Sequence, residues 1–256
     1  MKKILFFAVL LISLFVLAAC GDDEAASGDG AKELYKVGVD TTYPPFEFQE
    51  DGKYKGIDID LINAIAEDQG FAVEIEAMDF GGIIPAMQAG ELDIGMGGMS
   101  ITDERKKTVD FSDPYFEAGL SLVVAKGNSE IASLEDLKGK VVAIKNGTTG
   151  AKFAEEHKKE YGFKTIQVSD STSMFQEVSN GSADALIEDY PVITYAIAKS
   201  NLDLQVVGDR LNGDNYGISV LKGKHDELLK KINNGLASLK ESGKYDEILD
   251  NYLGTE

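Results

Sequence analysis

The fold class predicted for this sequence is α/β, with mostly parallel sheets in two series, and two observations predict it. The first is an alternation of strand-like and helix-like segments, YKVGVD, GIDIDLINAIAEDQG, FAVEIEAM, GGIIPAMQAG and LDIGMGG, which reads as βαβαβ. The second is that the design recurs, in VVAIKNGTTGAKFAEEH, FKTIQVS, SMFQEVSNG and ADALIED. The closest local correspondence sets residues 88–94 against 179–185, each a helix end, a glycine cap and the start of a strand.

Taken in order, residues 1–19 are expected to be a signal peptide: Lys2 and Lys3 precede an apolar run, and Ala18 and Ala19 form a small-residue processing site. The run is short for a membrane span, and Gly21 and Asp22 follow it rather than a basic cluster. The next segment, GDDEAASGDGAK, has no aromatic or branched apolar residue and reads as a flexible tether, so the fold is expected to begin near Leu34. In the first helix Ile57, Leu61, Ala64 and Ile65 share one face, and Gly70 and Gly90 stop helices. Ser133 is placed to cap SLEDLKGK. After Asn215 the pattern is one strand and two amphipathic helices, which suits either half of the fold.

A content of 43% hydrophobic and 27% charged residues excludes a disordered or fibrous chain. Its 44 acidic and 25 basic residues give a net charge of -19, and loss of two lysines with residues 1–19 takes this to -21. Such a surface repels nucleic acid and anionic lipid. Cys20 is the single cysteine, which excludes an internal disulfide, and no Cys/His cluster offers a metal site. His157 and His225 sit in polar runs and read as solvated helix faces. The loop KNGTTG has neither P-loop nor dinucleotide spacing, though its amides can face an anion, and no cofactor is expected.

Arg105, inside GGMSITDERKKTVDFSDPYF, falls in the first turn of a helix capped by Thr102, where a cation opposes the helix dipole. It is either a solvated charge beside Lys106 and Lys107 or a bidentate clamp for a carboxylate. Five residues beyond Asp93 and Asp184 stand Gly98 and Asp189, at the carboxyl ends of strands, where open α/β sheets bind ligands. Glu188 and Asp189 precede Tyr190 and Pro191, so a strand meets a loop there. Asp40 also ends a strand, with Tyr43, Phe46 and Phe48 nearby and Phe80 in a later loop; these rings suit a core or a pocket wall.

The fragments VGVDTTYPPFEF, GKYKGIDIDLINAIA, MDFGGIIPAMQAGELDIGMGGMSITDERKKTVDFSDPYF, LKGKVVAIKNGTTG and ALIEDYPV together resemble the extracytoplasmic solute-binding proteins of polar amino acid ABC transporters, over essentially the whole chain after the tether. The glutamine-binding branch is nearest, through MDFGGIIPA, SITDERKK and VVAIKNGTTG. The resemblance implies a two-lobed, periplasmic-binding-protein-like fold of type II, each lobe a mixed, mostly parallel sheet flanked by helices. Two crossover strands near residues 115–120 and 215–219 would join lobe 1 (34–117 and 217–256) to lobe 2 (118–216). It also implies a lipoprotein signal, so that Cys20 is lipidated, residues 20–33 tether the protein, and it works as a monomer at the outer face of a cytoplasmic membrane of Gram-positive type, delivering ligand to an ABC permease.

By the same resemblance Arg105 pairs with the α-carboxylate of a free L-amino acid, helped by the amides of Ser100 and Thr149. Asp189, the Gly98 carbonyl and the Ser100 hydroxyl take the α-ammonium, and Tyr43 and Phe80 sandwich the aliphatic stem. Lys145 and Asp40 then suit a side-chain amide, hence glutamine. Enteric glutamine-binding proteins carry histidine where Glu188 stands, and an inward Glu188 would favour arginine, lysine or histidine. No catalytic residue is assigned; the other class of function on this fold is a cyclohexadienyl-dehydratase-like enzyme, with Glu188 or Lys145 as acid or base.

Overall fold

A computed structural model describes residues 32–254. The expected signal peptide, Cys20 and nearly all of the tether lie outside these residues. The chain joins the fold at Glu33, whose carbonyl accepts the Ala72 N–H at 2.8 Å.

From there β1 (Leu34–Val39) leads into a small antiparallel sheet of β2 (Thr42–Tyr43), β3 (Glu47–Glu50) and β4 (Lys53–Lys55). Next come α1 (Ile57–Gln69), β5 (Ala72–Ala77), α2 (Ile83–Ala89), β6 (Ile94–Gly95) and β7 (Val109–Phe111). After β8 (Phe116–Ala118) the second series runs β9 (Leu120–Ala125), β10 (Val141–Lys145), α3 (Thr149–Tyr161), β11 (Lys164–Val168), α4 (Ser171–Ser179), β12 (Ala185–Asp189), α5 (Tyr190–Ser200) and β13 (Leu204–Val207). The chain then returns through β14 (Asp214–Tyr216) and β15 (Ser219–Leu221) to α6 (Asp226–Ser242) and α7 (Lys244–Leu253).

Two five-stranded sheets result, ordered β5-β1-β6-β15-β7 and β11-β10-β12-β9-β13. In each, the first strand of a βαβαβ series lies parallel between the next two, β1 between β5 and β6, β10 between β11 and β12, with an antiparallel strand alongside. The local repeat in the sequence has a structural counterpart. Asp93 accepts the Lys36 N–H at 2.9 Å, and Asp184 accepts the Val141 N–H at 2.8 Å, so each aspartate closes the turn into a parallel strand pair. Between the sheets β8 and β14 pair antiparallel, with Tyr216 opposite Phe116.

The C-terminal segment completes the first lobe. β15 lies between β6 and β7, and α6 buries Leu228, Ile232, Leu236 and Leu239 in the cluster that holds Leu61, Ile62 and Ile65 of α1. Each such side chain contributes about 1.5–3 kcal/mol on leaving water. Two local expectations are corrected. The helix expected after Thr102 is a single 3-10 turn, Arg105–Lys107, because β7 begins at Val109, although the Thr102 hydroxyl does accept the Arg105 N–H at 3.2 Å. No loop follows Asp189: α5 starts at Tyr190, with Pro191 in its first turn, where a missing N–H costs nothing.

Candidate functional site

The two sheets present their carboxyl ends to one another, and those ends supply the polar residues. Asp40 follows β1, Gly97, Gly98 and Ser100 follow β6, Lys145 ends β10, and Glu188 and Asp189 end β12. Asp40, Ser100, Lys145, Glu188 and Asp189 are all buried, as are the rings of Tyr43 and Phe80. Thr149 opens α3, which is capped by the Thr148 hydroxyl accepting from Ala151 N–H. All ten residues singled out from the sequence therefore meet at one cleft. The cavity left among Tyr43, Phe80, Gly98, Arg105, Lys145 and Asp189 is ≈ 10 Å³, about one water.

Arg105 spans the cleft. Its guanidinium donates to the Ser100 carbonyl at 2.8 Å and to the Gly147 carbonyl, from the opposite lobe, at 3.0 Å, and lies 5.1 Å from the Phe80 ring centre. Burial pushes its pKa down and Asp189 opposes that shift, so the cation persists. The approach of the Gly147 carbonyl requires glycine. A Cβ there would sit 2.7 Å from the Gly81 Cα across the cleft, and the residue has φ +77°.

Opposite this cation stands Asp189. Its Oδ2 accepts the Tyr43 hydroxyl at 2.6 Å and the Tyr216 hydroxyl. Burial raises its pKa, and the two phenols oppose the rise by bonding the charged form. Glu188 turns inward beside it, accepting from Tyr43 at 3.2 Å, from the Asp189 N–H at 2.8 Å and from the Ser171 hydroxyl at 3.1 Å. Burial and the neighbouring Asp189 push Glu188 up to about 7, against the pull of Lys145.

Lys145 and Asp40, read from the sequence as two separate groups for a ligand side chain, pair with each other at 2.6 Å. The contact is an ion pair without hydrogen-bond alignment. Two opposite charges drawn into one dry space meet because leaving either one unpaired there is costly. The Lys145 ammonium also donates to the Ser171 hydroxyl at 3.2 Å and lies 4.5 and 5.7 Å from the Tyr43 and Phe80 ring centres. Both rings thus lie within cation–π reach of a single ammonium group.

Several residues of the site escaped the sequence reading. Tyr216 holds Asp189, and Ser171 links Lys145 to Glu188. Asp58 accepts the N–H groups of Gly97 at 3.1 Å and Gly98 at 3.0 Å and the Tyr115 hydroxyl at 2.9 Å. A signal for Asp58 existed: it shares a helical face with Ile62 and Ile65, where an acid has to find a partner. Nothing local marks Tyr216 or Ser171, which reach the site only through the tertiary fold.

The sequence model for the bacterial extracellular solute-binding proteins, family 3, matches residues 35–255. The arginine-binding extracellular protein ArtP of Bacillus subtilis is 36% identical over 251 residues, 97% of this chain and 96% of that protein. The ABC transporter glutamine-binding protein GlnH of the same organism is also 36% identical, over 99% of this chain and 98% of that one. A solved ancestral arginine-binding protein is 45% identical. Bound to arginine it superposes with TM-score 0.82 over 87% of this chain and 99% of its own; bound to glutamine, with TM-score 0.81 over 88% and 99%.

Proposed function

This chain belongs to the bacterial extracellular solute-binding proteins, family 3, with the two-lobed periplasmic-binding-protein fold of type II, and from that premise we propose that it captures glutamine between its lobes and hands it to an ABC permease. That it is an amino-acid-binding extracellular protein follows from the family and its relatives. The observation that carries the finer reading is a half-buried cation, Arg105, and a buried anion, Asp189, contributed by opposite lobes and facing one cavity. A free amino acid is the small molecule that answers both charges at once. Its carboxylate takes Arg105 and the amides of Ser100 and Thr149. Its ammonium takes Asp189, the Gly98 carbonyl and the Ser100 hydroxyl, and its stem lies between Tyr43 and Phe80.

With the zwitterion matched, Asp40 cancels Lys145 and Glu188 decides the side chain. A protonated Glu188 leaves the pocket neutral, and an amide suits it by accepting from Lys145 and donating to Asp40. An ionised Glu188 leaves one negative charge and favours a cationic side chain. The inward Glu188 is the observation behind this second reading, in which arginine, lysine or histidine is the ligand. The two solved states of the ancestral relative, one with arginine and one with glutamine, are consistent with a pocket near that balance.

Closure is the working step. Arg105 to Gly147, Tyr43 to Asp189 and Asp40 to Lys145 all bridge the lobes, so a ligand enters by parting them and is held when they meet again around it. The closed form is then the one a permease receives, with the protein kept at the membrane by lipid on Cys20. Titrating the chain without residues 1–19, stripped of carried-over ligand, with each of the twenty amino acids tests this reading. Binding of glutamine above the others supports it, arginine in first place selects the second reading, and silence from all twenty rejects both.

A further inference from the structure

Behind the cleft lie two carboxyl groups that ligand contact does not explain. Glu47 begins β3 and Asp58 sits in the first turn of α1, and both are fully buried. Asp58 Oδ2 is saturated by the Gly97 and Gly98 amides and the Tyr115 hydroxyl. Its Oδ1 has no donor, and neither oxygen of Glu47 has one either. Both carboxyl groups meet the same residue, Gly97, whose N–H Asp58 Oδ2 accepts at 3.1 Å. Gly97 lies directly against Glu47, since a Cβ on it would be 3.2 Å from Glu47 Oε1. Among the described residues no three His, Cys, Asp or Glu side chains converge to hold a metal ion.

Two carboxyl groups buried together, with three of their four oxygens lacking a donor, cannot both ionise without a large cost, and one proton removes it. We propose that Glu47 and Asp58 share a proton and act as a positioning pair, with neutral Glu47 donating to Asp58 Oδ1 while Asp58 holds the Gly97 and Gly98 amides. This turns the Gly98 carbonyl and Ser100 toward the cleft, so its effect on affinity rests on the proposed function, while the pair itself does not. The charged and titratable groups around it agree. Asp40 and Asp58 disfavour a charge on Glu47 and Lys145 only partly compensates, so burial first, then these neighbours, hold its pKa well above the ordinary range. Asp58 is raised by burial to about 6, restrained by the Gly98 amide and by Tyr115.

The test uses the chain without residues 1–19, carrying 13C-labelled glutamate carboxyl groups and 15N-labelled glycine. At pH 7 the Glu47 carboxyl carbon is expected at the position of a protonated acid. In Glu47→Ala the Gly97 and Gly98 amide resonances move and glutamine and arginine affinity falls by roughly tenfold or more. Glu47→Gln, whose amide donates to Asp58 at any pH, restores the amide positions and most of the affinity. An ionised Glu47 at pH 7, or Gly97 and Gly98 amides unmoved in Glu47→Ala, overturns the proposal. Should Glu47→Ala fail to fold, the wild-type carboxyl measurement decides alone. The amide readout needs no ligand, so a protonated Glu47 with shifting glycine amides upholds the pair even if neither amino acid binds.

Discussion

Arg105 is anchored from both sides of the cleft by backbone carbonyls, and that anchoring separates it from Lys106 and Lys107. Arg105→Ala is expected to abolish binding of every amino acid, by more than about a hundredfold, because it removes the proposed carboxylate partner common to all; calorimetry with glutamine and arginine checks this. Lys145→Leu leaves Asp40 buried without its ion-pair partner, which should destabilise the protein by about 3 kcal/mol in urea unfolding and shift preference toward arginine. Glu188 carries the pH dependence. Held near 7 by burial and Asp189, it gains charge between pH 6 and pH 8, so arginine should bind more tightly at pH 8, and Glu188→Gln should remove that gain. The residues that meet at the cleft were legible where a motif named them. Lys145 pairing with Asp40 was not, because a mutual ion pair depends on how far the lobes approach.

Among the elements, the parallel strand pairs were readable because their signals are local: apolar runs, glycine caps and an aspartate at the same place in each repeat. The 3-10 turn at Arg105–Lys107 and the direct passage from β12 to α5 were not, since the first depends on where β7 must start and the second on Pro191 opening a helix rather than a turn. The loop between β10 and α3 carries a further prediction. Gly147→Ala puts a side chain at φ +77° and against Gly81, a contact that exists only when the lobes meet. The variant is expected to keep its circular dichroism spectrum but to lose roughly tenfold or more in affinity; unchanged affinity would show that the lobes close without this approach.

For the whole molecule, Asp40, Glu47, Asp58, Glu188 and Asp189 are buried at or behind the cleft, and among the described residues only Lys145, buried, and Arg105, half-buried, offset them there. Raised carboxyl pKa values stabilise the fold fully below the unfolded values near 4 and lose that contribution as pH rises through the folded ones. For Asp58, raised to about 6, the loss is on the order of 3 kcal/mol, a large share of a typical domain's stability. The protein should therefore unfold at higher urea at pH 5 than at pH 8, and a flat profile would mean that these acids are not buried together. The central claim is that a zwitterion bridges Arg105 and Asp189 and that Glu188 chooses its side chain. Calorimetric titration of glutamine and arginine at pH 6 and pH 8 tests it most directly. Glutamine should bind at both, with arginine gaining on it at pH 8; no heat from either ligand, or arginine tightest at pH 6, would contradict it.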